Sequence, residues 1–218
     1  MIVKQKTLTV TENTRLADGI YRLRLAGDTS AITAPGQFVN LKLSGFFLRR
    51  PISVCDWSDG ELTLIYKVLG HGTEAMTGMA PGTELDVLTG LGNGYDVSHS
   101  GEHPLLVGGG VGIPPLYGLA RRLRAQGRQV TAVLGFNRAS EIFLAEEFRA
   151  LGAEIILATA DGSAGLRGLV TDGMAAVSDS TYLYTCGPEL MLKAVYGACT
   201  TSGQFSFEER MGCGFGAC

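Results

Sequence analysis

"HPLLVGGGVGIPPLYGLA", residues 103–120, is where the pattern of the chain changes. Pro104–Gly109 is a continuous apolar run, as expected of a strand buried on both faces. It breaks into glycines and reopens with helical spacing at Leu116, Leu119, Ala120 and Leu123, with Gly127 as a stop. A glycine turn between a strand and a helix offers backbone N–H groups and a helix N-terminus, which together can hold a diphosphate. The stretch departs from the strict G-x-G-x-x-G pattern, because Pro115 stands where the third glycine belongs. About 20 positions on, Arg128 and Gln129 stand where an acidic residue is expected. A tight turn with no ligand accounts for the same residues equally well.

Downstream, "QVTAVLGF" (129–136), "AEIILATA" (153–160) and "TYLYTCG" (181–187) read as strands. "SEIFLAEEFRALG" (140–152), capped by Ser140, and "PELMLKAVYGACTTSG" (188–203), opened by Pro188, read as helices. Such alternation predicts an α/β domain with a parallel sheet and helices on both faces. Upstream, "IYRLRLAG" (20–27), "QFVNLKLS" (37–44) and "ELTLIYKVLG" (61–70) alternate apolar and polar residues. Pro35-Gly36, Asp59-Gly60 and Pro81-Gly82 punctuate them, with no convincing helix between. An antiparallel barrel or sandwich is expected. The boundary falls near "SHSGEH", giving domains 1–100 and 101–207 and a terminal segment 208–218.

The chain has 218 residues, 45% hydrophobic and 18% charged, enough apolar material for real cores. A net charge of −3 gives no reason to expect a nucleic-acid partner. No stretch resembles a signal peptide or a membrane span, so a cytoplasmic protein is expected. Five cysteines in a reducing compartment should be inert, metal-binding or redox-active rather than bridged. His71, His99 and His103 lie in loop contexts, and no acid–base dyad stands out.

Three further places carry chemistry. Cys186 ends a predicted parallel strand, where ligands of open sheets bind, with Gly187 and Pro188 behind it; an inert buried thiol is the plainer alternative. In "RRPISV", Arg50 is shaped to grip phosphate, Pro51 marks an edge or bulge, and Ser53 offers a hydroxyl. Lys67, then Gly72 and Thr73, could add a cation and a phosphate turn; solvated strand charges are the alternative. In "EERMGCGFGAC", Cys213 and Cys218 have the C-x4-C spacing that opens a plant-type 2Fe–2S site. Half a zinc site and a plain tail remain open for them.

Taken in order, "RPIS", "GGGVGIPP" and "CGPELM" resemble the motifs of the ferredoxin-reductase-type FAD/NAD flavoproteins. "LRRPISV", "LIYKVLGHGT", "LGNGY" and the cysteine segment resemble, within them, the electron-transfer subunits of NAD-dependent dihydroorotate dehydrogenase. The resemblance implies FAD, a 2Fe–2S cluster and NADH as substrate. It implies a hetero-oligomer with the FMN-bearing catalytic subunit, in pyrimidine biosynthesis. By that likeness Arg50, Pro51, Ile52, Ser53, Ile65, Tyr66, Lys67, Gly72 and Thr73 would line FAD. Gly108, Gly109, Gly110, Gly112, Pro114, Cys186, Gly187 and Pro188 would face the nicotinamide nucleotide, with Ser53 and Cys186 beside the reacting rings. It also implies a flavin seated against Pro51–Ser53, within hydride reach of a dinucleotide lodged at Gly108–Gly112. Cys213 and Cys218 would be two cluster ligands, with the native chain expected to continue past Cys218 to the others. A reductase subunit of a hydrogenase or ferredoxin-linked complex shares these motifs, as does a non-catalytic flavin-binding redox module. Arg138, after "LGFN", could meet the 2′-phosphate of NADPH, whereas the resemblance implies NAD.

Overall fold

A computed structural model describes residues 3–208. The chain divides into two compact units, one reaching to Gly94 and the other spanning Tyr95–Phe207.

The first unit is a closed antiparallel barrel of six strands, β1 (Lys4–Ala17), β2 (Ile20–Ala26), β3 (Phe38–Lys42), β4 (Arg50–Ser58), β5 (Glu61–Lys67) and β6 (Glu84–Leu91), in the order β1-β2-β5-β4-β3-β6. Closure removes the free edges that a sandwich would have left. Asp18-Gly19 and Asp59-Gly60 make the β1–β2 and β4–β5 hairpins, and both glycines hold positive φ, 67° and 81°. That is the demand of a two-residue hairpin turn. Alternation then drives Leu8, Val10, Leu23, Leu25, Val39, Leu41, Leu62 and Leu64 into one core.

In the barrel half, a six-residue helix, α1 (His71–Met76), follows β5 where the sequence showed none. It is too short to show a 3.6-residue period, and its first turn contains a glycine. Thr73 holds its start, accepting from the Leu69 N–H at 2.9 Å and donating to the Gly70 carbonyl at 3.1 Å. Met76, fully buried in the barrel core, anchors its end.

Of the paired arginines, Arg49 is structural. Its side chain is 8% exposed, and its guanidinium meets both carboxylate oxygens of Asp86 at 2.9 Å and also donates to the Asp86 and Asn40 carbonyls. It therefore staples β4 to β6 across β3. Replacing Arg49 with Ala should lower barrel stability by about 1–3 kcal/mol, the range for charged hydrogen bonds lost from partly buried acceptors. Urea unfolding checks this, and an unchanged midpoint would refute the staple.

The second unit is a six-stranded parallel sheet in the order β10-β9-β8-β7-β11-β12. Its strands are β7 (Pro104–Gly109), β8 (Thr131–Phe136), β9 (Glu154–Thr159), β10 (Leu166–Arg167), β11 (Tyr182–Cys186) and β12 (Gly203–Ser206). Its helices are α2 (Ile113–Ala125), α3 (Ala145–Ala150), α4 (Val170–Met174) and α5 (Glu189–Ala198). A side chain at Gly108 would strike Ile113 and Leu116 of α2, whereas one at Gly109 would strike Met191 of α5. Adjacent residues of one strand thus face helices on opposite sides, as the apolar run implies.

Two helices are shorter than their periodicity suggests. The expected helix 140–152 begins only at Ala145, because Leu144 takes a left-handed φ of 62°. Before it, a 3-10 turn at Ala139–Glu141 and an extended Ile142 let Phe143 reach Phe136, ring centres 5.6 Å apart. Burial of Phe143 and Leu144 wins over helical continuity, and Ser140 caps nothing. The expected helix 188–203 stops at Ala198, where Cys199 turns extended. Gly203–Ser206 instead adds an edge strand to β11. Among the described residues no helix is long and apolar enough to cross a membrane.

Candidate functional site

In the barrel unit, two neighbouring strands pair over only part of their length. The β4–β5 ladder runs from Ser58↔Glu61 to Val54↔Leu64 and goes no further. Beyond it, Arg50–Ser53 stays paired to β3 and Ile65–Lys67 stays paired to β2, but neither segment pairs with the other. A register shift between Val54 and Asp56 lies next to the end of the ladder. Pro51, with no N–H, fits such an unladdered position.

Arg50 and Gly72 meet here. A methyl group on Gly72 would stand 2.0 Å from Arg50 Nε, so the guanidinium rests in the space that a side chain would fill. The guanidinium also lies 4.9 Å from the Phe46 ring centre and donates to the Leu48 carbonyl at 2.6 Å. Among the described residues it has no carboxylate partner. That leaves a planar cation with donor capacity beside Gly72, which suits a phosphate oxygen.

The other residues singled out here divide. Ser53 lies half-buried opposite Phe38, and Lys67 is half-buried at the end of β5. Thr73 holds the start of α1 with its hydroxyl. Ile65 and Tyr66 are buried, and the Tyr66 ring belongs to the core: it stacks on Tyr21 at 5.7 Å and donates to Asn13 Oδ1 at 3.2 Å. Burial pushes the Tyr66 hydroxyl up to about 12. Asn13 in turn donates to the Met76 carbonyl at 2.8 Å, tying β1 to α1. No sequence pattern marks Asn13, since its role depends on a contact 63 residues away.

In the second unit the chain runs outward from β7 through β8, β9 and β10, then returns to place β11 on the other side of β7. The strand order therefore reverses between β7 and β11, the place where open α/β sheets bind ligands. Gly108 is the register partner of Cys186 there. A side chain at Gly112 would stand 2.3 Å from the Cys186 carbonyl oxygen and 2.6 Å from Gly187 Cα, so the glycine loop and the Cys-Gly-Pro turn pack backbone on backbone. Gly110 differs: it holds φ +52° with nothing within 4 Å of its side-chain position. The loop is thus closed at Gly108, Gly109 and Gly112 and open at Gly110. Pro114 and Pro115 remove two N–H groups from the first turn of α2, so main-chain donors for an anion must come chiefly from the loop. Pro188 precedes α5, 3.5 Å from the side-chain position of Gly109.

Cys186 is 3% exposed. Beside it, Tyr95 donates to the Thr185 carbonyl at 3.1 Å and packs edge-on against Tyr184, which donates to the Asp96 carbonyl at 2.9 Å. Burial, and then the neighbouring Cys186, push the Tyr95 hydroxyl well above the usual phenol range. Tyr95 thus fixes the segment entering the unit to the strand that ends at Cys186.

The profile of the oxidoreductase NAD-binding domain family matches residues 106–196. The dihydroorotate dehydrogenase B (NAD(+)) electron transfer subunit of Geobacillus sp. (strain WCH70) is 44% identical, over 100% of this chain and 88% of its own length. That of Fusobacterium nucleatum is 40% identical, over 99% and 88%. The chain belongs to the family of dihydroorotate dehydrogenase B electron transfer subunits. A solved NADH-dependent reduced ferredoxin–NADP oxidoreductase superposes with a TM-score of 0.87 at 28% identity, covering 97% of this chain and 79% of that one. A dihydroorotate dehydrogenase B electron transfer subunit is thus a ferredoxin-reductase-like flavoprotein fold.

The barrel's own residues are of the kind FAD could use: an arginine with no carboxylate partner among the described residues, a glycine that makes room for it, and two strand segments that do not pair with each other. Cys213 and Cys218 lie outside the described residues. Among those described, no three His, Cys, Asp or Glu side chains gather as a metal site, and Cys55 is buried in β4.

Proposed function

We propose that this chain takes electrons from NADH through FAD and a 2Fe–2S cluster and exchanges them with the FMN-bearing catalytic subunit of a dihydroorotate dehydrogenase. It would do so within a cytoplasmic hetero-oligomer of pyrimidine biosynthesis. The observation that carries this is the near-full-length identity to electron transfer subunits in a chain that keeps both cradles, Arg50 against Gly72 and Gly112 against Cys186.

FAD, when bound, accepts two electrons from NADH and releases them singly; the protein supplies binding, alignment and electrostatics. Arg50 neutralises the cofactor's diphosphate. The unladdered main chain at Ile52–Ser53 and at Ile65–Lys67 borders the flavin, with the Ser53 hydroxyl able to donate or accept at the ring. Thr73 acts at one remove, by shaping the turn that presents Gly72. Gly108–Gly112 takes the dinucleotide's diphosphate, with the open side of Gly110 as the point of approach. Cys186, Gly187 and Pro188 stand at the nicotinamide end, where a buried thiol limits water. Cys213 and Cys218 supply two cluster thiolates.

Purified protein supplied with FAD should be yellow and should bleach on adding NADH without air. Colour that persists would refute the hydride step. Co-purification with a flavoprotein other than a dihydroorotate dehydrogenase would refute the partner.

A further inference from the structure

We propose that Glu141 selects NADH over NADPH, by accepting a hydrogen bond from the adenosine 2′-hydroxyl at the carboxyl end of β8. This rests on the dinucleotide binding proposed above. With the diphosphate at the end of β7 and the nicotinamide towards Cys186 on β11, the adenosine half extends the other way, over β8, one strand spacing of about 4.8 Å along. The chain leaving β8 is Asn137, Arg138 and the turn Ala139–Glu141. No acidic residue lies at the usual sequence distance from the glycines, yet the turn brings one back to the strand's end.

The Glu141 carboxylate is held in place there. It accepts from Asn137 Nδ2 at 2.9 Å and pairs with Arg138 Nε at 3.2 Å, and its side chain is 20% exposed. Two donors leave further lone pairs for a ribose hydroxyl. The turn is itself anchored: the Ala139 N–H donates to Ser163 Oγ at 2.7 Å, and Ser163 donates to Asp161 Oδ1 at 2.6 Å. The Ser163 hydrogen bonds, with a smaller contribution from Arg138, hold the Asp161 carboxyl below its usual range. A 2′-phosphate would therefore face two carboxylates. Arg138, the cation that the sequence offers for it, pairs through Nε with Glu141 and would bring that carboxylate with it. A free 2′-hydroxyl is the group that this arrangement accepts.

The test compares FAD-loaded wild type, Glu141→Gln and Glu141→Ala with ferricyanide as acceptor, measuring kcat/KM for NADH and for NADPH. Competition by ADP-ribose and by its 2′-phosphorylated form supplies a binding readout that needs no hydride transfer. Both variants should lose NADH preference by about 10- to 100-fold, the worth of one charged hydrogen bond, with the 2′-phosphorylated inhibitor binding more tightly than to wild type. Selectivity unchanged in both variants would overturn the assignment to Glu141 while leaving dinucleotide binding intact. A wild type that binds neither inhibitor would overturn the dinucleotide proposal itself, and this inference with it.

Discussion

Replacing Arg50 with alanine is expected to weaken FAD binding by roughly 10- to 100-fold, the worth of a charge-assisted hydrogen bond to phosphate. The fold should survive, because the guanidinium's hydrogen bonds run to the Leu48 and Arg49 carbonyls beside it in sequence and its ring contact to Phe46 is nearby. Gly72→Ala should mimic the loss without touching the charge. Its methyl group would stand 2.0 Å from Arg50 Nε and displace the guanidinium from over Gly72. Flavin titration by fluorescence quenching measures both. FAD affinity that survives Arg50→Ala within twofold would sink the phosphate assignment. A loss in Arg50→Ala without one in Gly72→Ala would mean that the charge acts from another position.

Gly112→Ala should cost about 3 kcal/mol of stability in the second unit, the upper end for overpacking at a site that cannot relax. The atoms its methyl would meet are main chain, the Cys186 carbonyl at 2.3 and 2.5 Å and Gly187 Cα at 2.6 Å, and no rotamer change relieves them. Relief requires the glycine loop and the Cys186 turn to part, which should also raise the KM for NADH. Gly110→Ala is the control. It meets nothing within 4 Å, so its cost is confined to the left-handed backbone, about 1 kcal/mol. Urea unfolding followed by far-UV circular dichroism separates the two. Equal losses would show that backbone conformation, not close approach, is what the loop demands.

The barrel strands were legible because hairpin turns and two-residue alternation are local signals. Asp59-Gly60 needed no distant partner to specify its turn, and "ELTLIYK" carries its inward face at Leu62, Leu64 and Tyr66. The buried run Pro104–Gly109 declared a parallel sheet in the same way. Where local signal and burial disagreed, burial won. "SEIFLAEEF" has helical spacing, yet Phe143 and Leu144 leave the helix to reach the core. The site was legible as residue types but not as roles. Arg49 and Arg50 are neighbours with the same side chain, and one is a staple to Asp86 while the other rests over Gly72. Tyr66 sits in a cofactor-like stretch but turns its ring into the core. Asn13, Tyr95 and Glu141 carried no motif, because each acts on a partner that its neighbours in sequence do not reveal.

The sequence by itself determined several of the strands and helices, that an antiparallel barrel gives way to a parallel-sheet unit, and that glycine, arginine and cysteine cluster in motifs suited to nucleotides and electron transfer. Only the tertiary structure decided which arginine lacks a carboxylate partner among the described residues, that β4 and β5 stop pairing beyond Val54, that Gly112 rather than Gly110 is locked against the Cys186 turn, and that a carboxylate returns to the end of β8. Those are properties of strand pairing and backbone approach between residues far apart in the chain. A period or a motif reports what a residue prefers locally, whereas partners are set only when the sheet closes.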